Sequence, residues 1–543
     1  MSYEKRRLGA KLGRALVAAL LGLCLSSFGT ARQATYRNPV IAGDFPDPSL
    51  IRVGEDYWAT TTTGGWAPHF TLLHSRDLVN WRVAGYVFQQ RPVWARDDFW
   101  APEITEDRGR FFVFYAARRD DGPRKRGTLC VAVATASAPE GPYTDRGPLV
   151  CQIPERDNVG SIDPDFVRDE KGEPYLVWKA DGNDAEPDQP TSIFAQRLSE
   201  DGTKLLGKRK EILRNGAPWE RSVTEGSFLL RRGDWFYHFY SGNACCGRAC
   251  NYALGVARAR KLFGPWEKNP HNPILAANRD WQCPGHGSIV ETPDGRDFLL
   301  YHSYRQRRDT FNVGRESVLD EVKWGADGWP TINDGHGPSS IAPAPLGTGG
   351  GGDEAEFFDG FTTAQLNPEW QWPMSNAQTA RVVVEGGGHL VLEPSKGAAS
   401  DELTGAVVAR RTTSGDYVAT TLVNTRDMAA TARAGLFAYS WREWALGVAF
   451  GGGKVTVWRR EGRDERRLAT ADSPDSPVVY LRMAAEGGEH YRFAFSANGR
   501  DWKELGEPVD GGYIEGARVA LAAGGGAARF DWIKVTPAKA SKK

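Results

Sequence analysis

The apolar and polar positions of this chain repeat one pattern five times: a polar residue, an apolar run, a glycine turn, then a strand rich in aromatics. The first copy runs from Asp47 through Leu50-Ile51 and a turn at Gly54 to Tyr57-Trp58. The second has Glu103-Ile104, Gly109 and Phe111-Phe112-Val113-Phe114-Tyr115. The third has Asp163, Phe166-Val167, Gly172 and Tyr175-Leu176-Val177-Trp178. The fourth has Glu225, Phe228-Leu229-Leu230, Gly233 and Trp235-Phe236-Tyr237. The fifth has His286, Ile289-Val290, Gly295 and Phe298-Leu299-Leu300-Tyr301. Successive turn glycines are 55, 63, 61 and 62 residues apart. A fixed period of this size, made of hairpins, marks radial repetition and predicts a five-bladed β-propeller with four strands per blade. A second echo, Val133–Tyr143 against Val256–Trp266, lies 123 residues apart, two blade periods.

The pattern changes after the fifth unit. Residues 346–353 are mostly glycine and read as a flexible linker. From Glu354 to about residue 537, short alternating strands recur every ten or so residues, among them Ala406–Ala409, Tyr417–Leu422, Ala434–Tyr439 and Val478–Met483. Such spacing predicts a jelly-roll β-sandwich. The expected fold is therefore all-β: a propeller over 36–345, a linker, and a sandwich over 354–537.

At 543 residues two domains are the natural expectation. Lys plus Arg and Asp plus Glu both total 68, so the net charge of zero gives no reason to invoke nucleic acid or an anionic membrane. Residues 1–31 read as a signal peptide: Lys5, Arg6, Arg7, Lys11 and Arg14 precede an apolar run too short to span a bilayer, and Ala31 suits cleavage. Leu23 is too bulky before Cys24 for a lipoprotein signal. A secreted or periplasmic protein follows, with no membrane span. Cleavage leaves six cysteines, Cys130, Cys151, Cys245, Cys246, Cys250 and Cys283, an even number that suggests disulfides in an oxidising compartment and leaves their pairing open. Zinc is disfavoured, since the Cys245–Cys250 cluster lacks two C-x-x-C pairs.

Candidate chemistry comes from the shared phase of Asp47, Glu103, Asp163, Glu225 and His286. If the first strand of each unit is innermost, these five converge near one end of the axis. Converging carboxyls repel one another and lose solvation, which calls for a functional reason. Glycoside cleavage needs two carboxyls, one acid and one base or nucleophile, and a third can raise the acid's pKa. Asp47, Asp163 and Glu225 meet that requirement. Taken singly, an Asp-Pro is usually a turn device, and the shared phase is what lifts the three together.

The motifs Asn38-Pro39-Val40, Phe45-Pro46-Asp47-Pro48-Ser49, His74-Ser75-Arg76-Asp77-Leu78-Val79-Asn80-Trp81, Trp100-Ala101-Pro102-Glu103, Ile162-Asp163-Pro164, Thr224-Glu225-Gly226 and Gly285-His286-Gly287-Ser288 resemble glycoside hydrolase family 43. The resemblance covers residues 36–345. It implies a five-bladed propeller that hydrolyses arabinose- and xylose-containing glycans with inversion. Carried over by motif, it makes Asp47 the general base, Glu225 the general acid and Asp163 the group that orients the acid and raises its pKa. Inversion implies ~6.5–9.5 Å between the acid and base carboxyls. The same resemblance makes His286 a candidate for holding an axial cation, Arg305 and Glu103 candidate substrate contacts, and Phe45, Trp66 and Trp100 candidate subsite walls. This chain has Glu103 where many relatives have Asp, and Gly226 where many have Pro, which leaves the sugar open.

The second domain resembles the concanavalin-like sandwich that follows some of these propellers, and Glu356 and Asp531 are its candidates for a shared structural calcium. No cofactor is required for the chemistry, so any Ca2+ would be structural or axial. The expected partner is a plant cell-wall glycan or oligosaccharide, and the expected state a monomer. An exo-acting α-L-arabinofuranosidase is the first expectation, β-xylosidase the second, and endo-arabinanase or a galactan-cleaving enzyme the next. A retaining fructosidase is disfavoured because its Asn-Asp-Pro-Asn-Gly, Arg-Asp-Pro and Glu-Cys stretches are missing. A glycan-binding propeller without chemistry is the reading from outside enzymology.

Overall fold

A computed structural model describes residues 34–120, 128–151, 159–184, 189–307, 310–352, 356–374, 380–383, 387–394, 403–440, 444–512 and 514–538. The predicted signal peptide lies outside the described residues. Five four-stranded antiparallel sheets follow one another along the chain, each with its strands in sequential order. Their innermost strands are Ser49–Val53, Ala95–Asp107, Ser161–Arg168, Thr224–Arg232 and Trp281–Glu291. The repeated polar–apolar–glycine–aromatic pattern is thus one hairpin per blade: Gly54, Gly109, Gly172, Gly233 and Gly295 all take positive φ at its turn, where glycine has no Cβ to clash.

The inner strands are sewn to one another around the axis by side chains. Leu50 donates its amide to Ser288 Oγ at 2.8 Å, joining the first blade to the fifth. Ile104 donates to Ser49 Oγ at 3.0 Å, and Leu229 to Asp165 Oδ2 at 2.8 Å. These bonds satisfy backbone groups that the open edges would otherwise leave unpaired in the buried axis.

The glycine tract expected to be flexible is instead docked. Gly350–Gly351 forms a parallel pair with Tyr36 and Arg37, beside the antiparallel pairing of Thr35–Arg37 with Ile341–Pro343. A Cβ on Gly351 would sit 2.0 Å from the Arg37 carbonyl oxygen. The glycines are there because two backbones touch.

The second domain is a sandwich of a nine-stranded and a six-stranded antiparallel sheet. Strand Tyr417–Asn424 alternates buried and half-buried residues along its length, the period expected of a strand with one face in a core. Leu436, Val448 and Leu521 of one sheet meet Leu481, Phe493 and Phe530 of the other. The outer face of the six-stranded sheet is not free: Val407, Ala409, Phe437, Tyr439, Ala520 and Ala522 pack with Trp66 of the propeller. Arg518 lies over the Trp66 ring at 3.9 Å, and a short pairing joins Trp372–Pro373 to Trp66–Ala67.

Candidate active site

Each inner strand has a residue in the left-handed region at the equivalent point of its blade: Asp47 (φ 53°), Ala101 (45°), Asp163 (51°), Gly226 (59°) and His286 (45°). The backbone kinks there, and strand pairing shifts register between Ile162 and Asp165 and between Glu225 and Phe228. A kink of this kind re-aims a side chain out of the pleat. Asp47, Asp163 and His286 occupy the kink itself; Glu225 is the residue just before it. All four line one cleft of about 1190 Å³ at one end of the axis.

Asp47 is buried and surrounded by cations or potential cations. Its Oδ1 lies 3.0 Å from Arg315 Nη1, 3.2 Å from His302 Nδ1 and 3.4 Å from His286 Nδ1. The Asp47 amide donates to the same His302 nitrogen at 3.2 Å. Burial pushes the carboxyl up, but Arg315 first and the two histidines after it outweigh burial and hold it well below the usual carboxylate range. Burial drives His302 down to about 4, with Arg315 lowering it further against the pull of Asp47, so it is neutral at neutral pH.

Glu225 is paired differently. Lys179 Nζ lies 2.5 Å from its Oε2 and 2.9 Å from Asp181 Oδ1. Burial raises the Glu225 pKa, and Lys179 first, with Tyr252 and His286 after it, more than reverses the rise. Asp163 accepts the Gly226 amide at 2.8 Å. Burial, then the negative charges of Glu225 and Asp47, push Asp163 up to about 6 against the opposing pull of His286 and Lys179. Near neutral pH the cleft therefore holds an ionised Asp47 and a coupled pair, Asp163 with Glu225, that takes up a proton as pH falls toward 6. A carboxylate base beside a proton-holding carboxyl pair is what acid–base cleavage of a glycosidic bond requires.

The profile of Glycosyl hydrolases family 43 matches residues 36–330, more than half of the chain. This chain belongs to glycosyl hydrolase family 43. Family 43 enzymes are inverting O-glycosidases, and the protein is such a hydrolase acting on xylose- or arabinose-containing glycans. Residues 358–536 match the profile Beta xylosidase C-terminal Concanavalin A-like domain. Xylosidase/arabinosidase 43B of Humicola insolens is 28% identical over 508 residues, 88% of this chain and 90% of that protein. The beta-xylosidase of Bacillus subtilis is 27% identical over 540 residues, 89% of this chain and 95% of that protein. The solved GH43 BlXynB protein of Bacillus licheniformis superposes with a TM-score of 0.78 at 26% identity, over 93% of this chain and all of that one.

Within this family 43 framework the structure sorts the sequence-derived candidates. Trp66 and Trp100 line the cleft. Phe45 does not: it is buried under the Arg411 guanidinium, 4.2 Å away, where the two domains meet. Glu103 does not line that cleft either. The left-handed residue of its blade is Ala101, so Glu103 lies two residues further along, in register with Ser49 and Asp165. It faces the axial channel with Asp165, and burial together with that neighbour raises its pKa well above the usual carboxylate range. Arg305 is occupied by Glu316 at 3.1 Å and packs on Trp281, away from the cleft lining.

The calcium candidates of the second domain do not fit a shared ion. Strand register puts Val535 opposite Phe357 and so Thr536 level with Glu356, leaving Asp531 five residues along the strand, ~17 Å away at the usual rise. Glu356 pairs with Lys534 at 2.9 Å, and Asp531 lies 3.6 Å from Arg529. His286 directs Nδ1 toward Asp47, and among the described residues no set of three or more His, Cys, Asp or Glu side chains is disposed to hold a metal.

Sequence reasoning missed Lys179, Asp181, Arg315 and His302. Lys179 carried a signal: it closes the apolar run Tyr175–Trp178 at a position where the strand remains buried. Arg315 carried none, since it precedes a strand in an ordinary polar turn. The cysteines pair as Cys130–Cys151, Cys245–Cys246 and Cys250–Cys283. The last two bridges shape a loop that follows the second strand of blade four, and Cys245 and Cys246 line the cleft.

Proposed function

We propose that this family 43 hydrolase is an exported, exo-acting β-D-xylosidase that also releases α-L-arabinofuranosyl groups from plant cell-wall oligosaccharides. One observation carries the exo reading. Met374, Ser440, Trp444, Ile514 and Glu515 of the second half of the chain line the same cleft as Asp47, Asp163 and Glu225, together with Cys245 and Cys246. A polysaccharide running through from both sides would have to cross that cover, whereas a chain end can enter it. The relatives that align over both domains carry xylosidase or xylosidase/arabinosidase in their names. Those named as arabinofuranosidases align over 58–59% of this chain. The names carried by the two-domain relatives move xylose ahead of arabinose, the reverse of the order expected from sequence.

In this reading Asp47, kept ionised by Arg315, takes the proton of the attacking water. Glu225 gives a proton to the leaving oxygen, and Asp163 shares and orients that proton. Charge moves from base to acid across the sugar with no covalent intermediate. The apolar run and basic residues of the first 31 positions support export.

The test is hydrolysis of aryl β-D-xyloside and aryl α-L-arabinofuranoside, with proton NMR of the first-formed anomer, in wild type and Asp47→Ala. The expected result is faster turnover of the xyloside, inversion, and loss in the variant. Retention of configuration would overturn the mechanism, and equal activity in the variant would remove Asp47 from it. Cleavage of polymer but of neither aryl glycoside would overturn the exo assignment. Binding of glycan with no turnover of any substrate would point to the propeller without chemistry.

A further inference from the structure

Lys179 lines the cleft beside the proton donor, and this mechanism leaves it without a task. It sits in the second strand of blade three, Pro174–Ala180, opposite Ile162 and Ile193, and is 1% exposed. An ammonium at that depth costs several kcal/mol of solvation unless well-placed carboxylates offset it. Two do: Glu225 at 2.5 Å and Asp181 at 2.9 Å. Asp181 is itself fastened, its amide donating to the Gly160 carbonyl at 2.9 Å. Lys179 thus links a fixed carboxylate on blade three to the reacting carboxylate on blade four.

We propose that Lys179 is a positioning residue for the proton donor: it holds Glu225 in place and sets the pH above which Glu225 can no longer carry a proton, while Asp181 supplies the fixed charge onto which the ammonium is released when the leaving-group oxygen takes its place. The inference rests on Glu225 being the donor. Its logic is geometric. Once Glu225 carries a proton it no longer offsets the buried ammonium beside its Oε2, so Lys179 needs a second carboxylate within reach, and Asp181 is one.

The other groups around Glu225 are Asp163 on the inner strand of blade three, Tyr252 after the cysteine loop, His286 of blade five and Asp47 across the cleft. Asp163 and Asp47 favour a protonated Glu225, and His286, when charged, favours the ionised form. Lys179 is the cation in direct contact, so its removal acts first on Glu225.

The experiment measures kcat/KM against pH for wild type, Lys179→Met, Lys179→Arg and Asp181→Asn, with phenyl and dinitrophenyl β-D-xylosides. Lys179→Met should move the alkaline limb to higher pH by ~1–3 units, the effect of removing an adjacent opposite charge. It should also lower kcat on the phenyl xyloside at least tenfold. Lys179→Arg should restore the limb. Asp181→Asn keeps the lysine but leaves it wholly on Glu225, so its limb should move the opposite way; this arm stands if Lys179→Met does not fold. An unmoved limb in both Lys179→Met and Asp181→Asn would overturn the proposal, as would equal shifts in Lys179→Met and Lys179→Arg. Glu225→Gln separates the two levels of inference. It should lose far more on the phenyl than on the dinitrophenyl xyloside, whose leaving group needs no proton. Equal losses would sink the donor assignment and this proposal with it; unequal losses with an unmoved limb would sink the role of Lys179 alone.

Discussion

Arg315 grips Asp47 with its side chain and Asp44 with its backbone: Nη1 stands 3.0 Å from Asp47 Oδ1, and the peptide N–H donates to Asp44 Oδ1 at 3.1 Å. One residue thus fixes both the charge of the base and the turn that delivers it. In Arg315→Met the base loses its main counter-ion, so its pKa rises and the acid limb of kcat/KM should move up by ~1–3 pH units. Plateau activity should fall by roughly a hundredfold or more. Because the folded pKa of Asp47 is depressed, its pairing stabilises the protein above the unfolded pKa and that contribution disappears as pH falls. The variant should therefore lose more Tm at pH 7 than at pH 3. An acid limb that does not move would remove Asp47 from the role of base.

Asp163 offers the opposite sign. Its folded pKa is raised from 3.8 to about 6, so its contribution to stability is fully present below 3.8 and is lost as pH rises through 6. Above pH 6 an ionised Asp163 costs the fold roughly 2–3 kcal/mol. Asp163→Asn is neutral at every pH and can still accept the Gly226 amide. It should be inactive or nearly so, and more stable than wild type at pH 8 but not at pH 4. Thermal unfolding of both proteins across that range decides it.

Gly226 occupies the left-handed kink of blade four, and a Cβ there would fall 2.9 Å from His286 Cγ. Gly226→Ala combines an unfavourable φ of 59° with a push on the ring that faces Asp47. We expect a loss of about 1–3 kcal/mol in stability and a larger fall in kcat than in substrate affinity. Chemical denaturation and steady-state kinetics on the same preparation test both halves. A variant that keeps wild-type kcat would show that His286 can shift without disturbing the base.

Arg411 ties the sandwich to the base from behind. It is buried, donates Nε to the Asp44 carbonyl at 2.8 Å and Nη2 to Thr71 Oγ1 at 2.9 Å, and covers Phe45. Arg411→Met keeps the apolar stem but leaves the Asp44 carbonyl without this partner, at a cost of ~1–3 kcal/mol. Activity should fall with the domain interface, and the loss should appear on the smallest aryl glycoside as well as on oligosaccharides. A defect limited to long substrates would instead mark the sandwich as a binding accessory.

Most of the fold is legible in the sequence because it is periodic. A turn glycine, an apolar run and an aromatic strand recur with each blade, and strands such as Tyr417–Asn424 announce themselves by alternation. Strand Asp464–Asp472 does not: it is an edge strand, half-buried to exposed along its whole length, so no apolar face betrays it. The glycine tract misleads for a related reason. Composition reports that Gly350 and Gly351 cannot fill a core, but not that they pair with Tyr36 and Arg37 in a space too narrow for any side chain.

By itself the sequence determined the repeat, the two domains and the three carboxyls near one end of the axis, because these follow from local period and from residue type. The tertiary structure decided what surrounds them. It placed Glu103 a step down the axis, since the left-handed residue of its blade is Ala101 and not the acid. It also brought Arg315 to Asp47, 268 positions apart, and Lys179 to Glu225, 46 apart. Charge partners set by ring closure and by contact between neighbouring blades leave no mark in a local pattern. They nonetheless govern which carboxyl is ionised and which can hold a proton, because in a buried cleft that choice depends on the nearest opposite charge.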